Sequence, residues 1–338
     1  MTDPDRRDQE LSASDSSEIS KPAAELSGRA EETPVSNPGP WLLVIAALAL
    51  LVIGFGYFRN ADAQDGVSAN GVRQLRIDAG SSAVEIITAN TAQITAELTG
   101  NSRNRNLNVS RSGNTVEIGV GRSWWPFTLF SFRGSGLQIT IPEQLNAAVE
   151  LRASSGRVQL DDLSFSDLNI TSSSGRVCLD GLTVTGSLSV RTSSGRVCLQ
   201  DSAVSGAVSV RVSSGTIHVE DTVAASFELS SSSGRIEASG LPGTAVTAST
   251  SSGRIDLNAD ELLEDWSLRS SSGRIEVSIT QVPRAMALDF RGSSGRARIA
   301  DRFGFSFSET PGNSASARVG TGGPLLHVRT SSGGFELN

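Results

Sequence analysis

Cys178, Cys198 and His218 follow one another at intervals of twenty residues, and the chain holds no other cysteine and one other histidine, His327. Three such donors at equal spacing raise two chemistries, a zinc site and a thiol pair. If a twenty-residue step moves the chain one rung along a strand ladder, the Cα atoms of Cys178 and Cys198 lie about 5 Å apart, a separation that a disulfide accepts. His218 then stands about 10 Å from Cys178, too far for ligands gathered around one zinc at roughly 2.0–2.3 Å. The expectation is a Cys178–Cys198 disulfide in an oxidising compartment, with no metal and no cofactor.

Charged groups recur at the same interval. Arg157, Arg176, Arg196, Arg235, Arg254, Arg274 and Arg296 form one column, with Thr216 in the place of an eighth arginine. Two residues further on come Gln159, Cys178, Cys198, His218, Glu237, Asp256, Glu276, Arg298 and Glu336. The plain reading is a solvated face of cross-strand ion pairs, each worth under about 1 kcal/mol. The functional reading is a flat strip of Arg, Ser and acid that binds a polyanion or a glycan, with Glu237, Asp256 and Glu276 as its acidic members.

A catalytic constellation is harder to assemble. His218 and His327 are far apart, and no Gly-x-Ser-x-Gly elbow, HExxH, P-loop or dinucleotide fingerprint is present. A turn column (Asp161/Asp162, Asp180, Asp201, Glu220/Asp221) would suit a glycan-cleaving carboxylate pair or calcium. Asp is also favoured by turn geometry alone. The chain reads as a non-enzyme, with a glycan-active parallel β-helix enzyme as the alternative.

All these columns are spaced by one element, a recurring Ser-Ser-Gly triplet. Its glycines are Gly156, Gly175, Gly195, Gly215, Gly234, Gly253, Gly273, Gly295 and Gly333, separated by 19, 20, 20, 19, 19, 20, 22 and 38 residues. The last gap is twice 19, so a degenerate copy is expected near 303–322. Seven and five residues before each glycine, and two and four after it, every side chain is apolar: Leu168, Ile170, Val177 and Leu179 in one copy. Period-two alternation marks half-buried strands. The apolar parity flips across the triplet, so the chain must bend there, where glycine tolerates φ > 0. A period near 20 is too short for a helical hairpin and fits one coil of a solenoid. The fold expected is all-β, a parallel β-solenoid of ~19–20-residue coils over 151–338. An antiparallel meander gives no reason for a fixed period.

Before the regular copies, residues 71–150 alternate without a clean period and read as irregular coils capping the stack. Phe132-Arg133-Gly134-Ser135-Gly136 resembles a shortened Phe290-Arg291-Gly292-Ser293-Ser294-Gly295. The loop carrying Trp124, Trp125, Phe127, Phe130 and Phe132 reads either as a plug over the end of the stack or as a membrane or partner contact. Phe303, Phe305 and Phe307 are expected at the opposite end.

Residues 1–40 hold four basic side chains against nine acidic ones and five prolines, and read as a disordered acidic tail. Residues 41–58 are uncharged and mostly apolar, about the length of one transmembrane helix, with Trp41 and Tyr57 near its ends. A forty-residue acidic segment ahead of them argues for an uncleaved anchor over a signal peptide, although Ala61-Asp62-Ala63 looks like a cleavage site. A linker at 59–70 joins this span to the β region. The net charge of −7, without a basic patch, argues against nucleic acid as a partner.

The repeat, written apolar-x-apolar-x-x-Ser-Ser-Gly-Arg-Val/Ile-x-Leu, and the lead-in Leu137-Gln138-Ile139-Thr140-Ile141-Pro142 resemble the bacterial putative-adhesin family of β-strand-repeat proteins, a domain of unknown function. The resemblance covers about residues 71–338. Family members often carry Asp after the glycine, where this chain mostly carries Arg. The resemblance implies a solenoid in the bacterial envelope, often behind an N-terminal membrane segment. Together these readings give a single-pass protein of the bacterial cytoplasmic membrane. Its β domain lies on the periplasmic side and serves binding, adhesion or scaffolding toward envelope polysaccharide or another envelope protein. A bactofilin-like polymer is the further alternative.

Overall fold

A computed structural model describes residues 63–100, 105–122, 135–309 and 313–338, which fall in one compact unit of the chain. The tail, the apolar segment 41–58 and the aromatic loop with Trp124, Trp125, Phe127, Phe130 and Phe132 lie outside the described residues. Among the described residues no helix is long and apolar enough to cross a membrane.

The repeats stack as parallel coils. Asp167–Asp180 pairs in parallel with Ala148–Asp161 on one side and Leu188–Gln200 on the other, and the register sets Gly175 between Gly156 and Gly195. Ala203–Glu220 continues the ladder. Beyond it each coil is two separate strands, as in Ala245–Thr250 with Arg254–Ala259. A short third side, Ser164–Phe165, Thr183–Val184, Ala203–Val204 and Val223–Ala224, closes four coils. Each apolar position of the repeat points inward and is buried, except Ala297 and Ile299, which are partly buried on the outermost coil. No single coil could bury these side chains; the neighbouring rungs do it.

The triplet glycine is required by its neighbour. At Gly156, Gly175, Gly195 and Gly215 φ lies between 127° and 146°, a conformation costly to any residue with a Cβ. From Gly175 onward a Cβ would also overlap the carbonyl oxygen of the glycine in the adjacent coil. That overlap holds at Gly234, Gly253 and Gly273, where φ is not in the left-handed range. Close backbone approach, more than bend conformation, therefore fixes the residue type.

The order of the stack departs from the order of the chain at both ends. Trp266–Ser270 pairs with Leu325–Thr330, which pairs in turn with Met286–Gly292. Arg274–Ile279 likewise pairs with Phe335–Leu337, and that with Ala297–Ile299. The C-terminal coil thus lies between the Gly273 and Gly295 coils. At the other end Gln74–Gly80 and Ala83–Ala89 form a coil against the Gly156 coil, and Thr115–Arg122 with Ser135–Pro142 forms the coil outside it. By register Ser82 and Ser135 occupy the glycine rung there, buried and joined by a 3.0 Å hydroxyl contact.

Antiparallel strands close each end. Gln93–Gly100 lies on Ser135–Pro142, Ala63–Ser68 lies on Gln93–Gly100, and Arg105–Ser112 lies on Thr115–Arg122. At the far end Ser314–Val319 runs antiparallel to Met286–Gly292, and Ser306–Glu309 to Ser314–Val319. The 38-residue gap therefore holds a capping hairpin and not the degenerate coil expected near 303–322. Phe303 is buried there and stacks on Phe305 at 5.6 Å, while the Arg302 guanidinium donates to the carbonyls of Ile279 and Thr280.

Candidate binding surface

The residues after each glycine alternate, so Arg at one position and the side chain two further on both point outward from the same strand. The register brings Arg157, Arg176 and Arg196 onto consecutive rungs, then Thr216, then Arg235, Arg254 and Arg274. Arg296 is not next to Arg274, because the C-terminal coil sets Gly334 between their rungs. The second column runs Gln159, Cys178, Cys198, His218, Glu237, Asp256, Glu276, Glu336 and Arg298.

These columns divide the strip into two electrostatic halves. Arg235 Nη1 lies 2.9 Å from Glu237, and its Nε lies 4.0 Å from Asp256 in the next coil. Arg254 reaches Asp256 and Glu276 at 2.5 Å each, and Asp256 first, then Glu276, raises its pKa. Arg298 closes the series on Glu336 at 3.1 Å. In this half every carboxylate of the column meets a guanidinium. In the other half the neighbours in register are Gln159, Cys178 and Cys198, in place of carboxylates. Among the described residues Arg157, Arg176, Arg196, Arg274 and Arg296 form no ion pair.

Cys178 and Cys198 are adjacent in register, as their spacing predicts, and the structure holds both as free thiols, half-buried and hydrogen-bonded to each other. Burial and the neighbouring Cys178 push the Cys198 thiol up to about 11, with Arg196 and Arg176 acting the other way. His218 lies 3.3 Å from Glu220 and 3.6 Å from Glu237. Hydrogen bonds from Gln200, first, and His218 hold the Glu220 carboxyl below its usual range. Among the described residues no three of His, Cys, Asp and Glu converge as metal ligands.

The acidic turns take a backbone role. Asp162, Asp201 and Asp221 have φ of 54°, 46° and 45°, the left-handed conformation that Gly181 and Gly240 adopt at the same place in their coils. Asp tolerates that conformation better than most side chains.

A second polar surface runs on the other side of the bend. Four residues before the glycines from Gly175 to Gly273 stand Thr171, Arg191, Arg211, Ser230, Ser249 and Arg269, in register. Three before the glycine stands an inward column of hydroxyls: Ser172, Thr192, Ser231, Thr250, Ser270 and Thr330, all buried, with Val212 among them. The signal was legible in the repeat, since one offset carries Ser or Thr in six copies. Ser172 and Thr192 donate to the carbonyls of Ser174 and Ser194, and Ser270 accepts from the Gly273 amide. Ser231 Oγ, Thr250 Oγ1 and Thr330 Oγ1 are buried and lack a partner.

None of the curated proteins matches the chain. Among solved structures it is similar to a putative adhesin from Bacteroides fragilis, at 14% identity, with a TM-score of 0.44 over 82% of this chain and 98% of that one. It is also similar to a putative adhesin from Parabacteroides distasonis, at 11% identity, with a TM-score of 0.33 over 82% and 96% of the two chains. The family described as Toastrack DUF4097 matches residues 72–338, from the first buried valine of the β region to the final coil, and the chain belongs to that family.

Proposed function

We propose that the chain is a non-enzymatic binding module of the bacterial envelope. Residues 41–58 anchor it as one uncleaved span in the cytoplasmic membrane, and the solenoid stands on the periplasmic side. The observation that carries the reading is the run Arg157, Arg176 and Arg196, three outward guanidiniums on successive rungs with Gln159, Cys178 and Cys198 in place of carboxylates. Like charges about 5 Å apart are unfavourable when alone and become favourable when an anionic polymer lies across them. The antiparallel strands at the two ends cover the outer edges of Thr115–Arg122, Ser135–Pro142 and Met286–Gly292, which favours a discrete module over a polymer.

The test is binding of isolated envelope polysaccharide to the full-length protein in detergent, with reducing ends measured in the same samples. Salt-sensitive binding without new reducing ends is expected, weakened at least tenfold by joint substitution of Arg157, Arg176 and Arg196 with Ala. New reducing ends lost on Asp161→Ala and Asp180→Ala would establish the glycan-active enzyme instead. A reporter after Asn338 that is active only in the cytoplasm would overturn the placement.

A further inference from the structure

The face on the other side of the bend from the arginine strip carries a groove that the repeat pattern does not explain. It runs beside the bend across six rungs, has a volume of about 530 Å³, and is floored by serine and threonine. Arg191 and Arg211 stand toward one end and Arg269 at the other. The rungs between Arg211 and Arg269 carry only Ser230 and Ser249, so the basic ends are separated by about 14 Å of hydroxyl-lined floor. No carboxylate lines the groove. Arg211 is held by Glu228 at 2.5 Å and Arg191 bonds only to Ser189, while Arg269 has no partner among the described residues.

A row of small polar residues is not by itself a site. Beneath the middle of this row, however, Ser231 and Thr250 line the groove, and Ser231 Oγ and Thr250 Oγ1 have no hydrogen-bond partner, although their residues are only 5% exposed each. Ser231 and Thr250 are adjacent in register. A buried hydroxyl without a partner is costly, and that cost is removed when a ligand supplies one.

We propose that this groove binds an acidic polysaccharide lying along the stack. Serine and threonine hydroxyls both donate and accept, which matches the hydroxyls of a sugar ring, and guanidiniums at the ends match carboxylates on the chain. The groove contains no aromatic side chain on which a base could stack, so nucleic acid fits less well.

The inference rests on the reading of the chain as an envelope-binding module and adds a site and a ligand class. The probes are polygalacturonate oligomers, their methyl esters, dextran and single-stranded DNA, titrated into the full-length protein in detergent. Polygalacturonate is expected to bind, the uncharged glycans to bind at least tenfold more weakly, and the Arg191→Ala, Arg269→Ala double variant to lose at least tenfold. Thr250→Val, which keeps the shape and removes the hydroxyl, should cost a few-fold with an unchanged melting temperature. Binding that survives the groove variants but not the joint Arg157, Arg176 and Arg196 substitution would overturn the groove and leave the module standing. Envelope polysaccharide bound without polygalacturonate, or DNA bound more tightly, would overturn the ligand class. Failure to bind any of these polymers would overturn both readings.

Discussion

The backbone of Gly333 packs directly on that of Gly273, sixty residues earlier, and Gly295 packs on Gly333. The last coil of the chain is therefore an inner layer of the stack, held on both faces. Val328 contributes to this layer between Leu268 and Phe290, and Leu337 between Val277 and Ile299. In a stack where each coil touches only its neighbours, removing an inner layer should uncouple whatever lies beyond it.

Deleting residues 325–338 should consequently strip hydrogen-exchange protection from the Gly295 coil and the 306–319 hairpin. The coils from Gly175 to Gly234 should keep theirs. Leu326→Ala alone should cost about 2–5 kcal/mol in urea unfolding. Full protection of residues 286–299 after the deletion would mean that the Gly295 coil redocks on the Gly273 coil, and that the inner position of the C-terminus is dispensable.

The glycine stack makes a second, sharper prediction. At Gly195 an added Cβ meets both a φ of 134° and the carbonyl of Gly175. At Gly113, in the turn between Arg105–Ser112 and Thr115–Arg122, φ is 62° but nothing lies within 4 Å. Gly113→Ala should cost about 1–2 kcal/mol, the penalty of the left-handed conformation alone. Gly195→Ala should cost at least about 3 kcal/mol more, because neighbouring backbones must separate. Equal losses at the two sites in chemical denaturation would show that conformation and not contact sets the residue type.

What the sequence discloses of this fold is the layer, not the order of layers. Leu168, Ile170, Val177 and Leu179 announce an inward face because their parity and its flip at Gly175 are local properties. Nothing local tells Leu326 to pack on Trp266 as well as Leu288, since every coil presents the same apolar pattern. The 38-residue gap misled for a related reason: a hairpin happens to be as long as a coil, and Ala315 and Ala317 are buried like coil residues. On the surface, the arginine columns were legible from spacing. Their division into a self-paired half around Arg254 and an open half around Arg176 follows from which carboxylates share the register. The hydroxyl column that holds Ser231 and Thr250 is legible as an offset, while the lack of a partner at Ser231 Oγ and Thr250 Oγ1 follows from the bend.

Glu220 offers a pH-dependent test of the polar column. Its folded pKa is lowered, chiefly by the amide of Gln200 at 2.9 Å and then by His218, so its stabilising contribution is present above the unfolded carboxylate value of about 4.3. That contribution fades as pH falls through the folded value. In carbon-detected NMR titrations Gln200→Ala should raise the Glu220 midpoint more than His218→Ala does. The reverse order would place His218, and not the neighbouring coil's amide, as the principal partner.

Cys198 titrates in the opposite sense. Its folded pKa near 11 lies above the unfolded thiol value of about 8.5. The stabilisation is therefore complete below that unfolded value and is lost as pH rises toward 11. The thiolate is the reacting species, so in the reduced protein iodoacetamide should label Cys198 at least about tenfold more slowly at pH 8 than an unstructured thiol. Cys178→Ser removes the second cause of the shift and leaves burial, the first, in place. Labelling of Cys198 in that variant should quicken yet stay slower than the free thiol, and Arg196→Ala should slow it. On the proposed periplasmic placement, protein isolated without reductant should instead have the adjacent thiols joined, seen as a mass lower by two hydrogens and no labelling at either residue. Rapid labelling of Cys198 at pH 8 in the reduced protein would show that the guanidiniums of Arg176 and Arg196 outweigh burial, and would make this corner of the strip a reactive site instead of a quiet one.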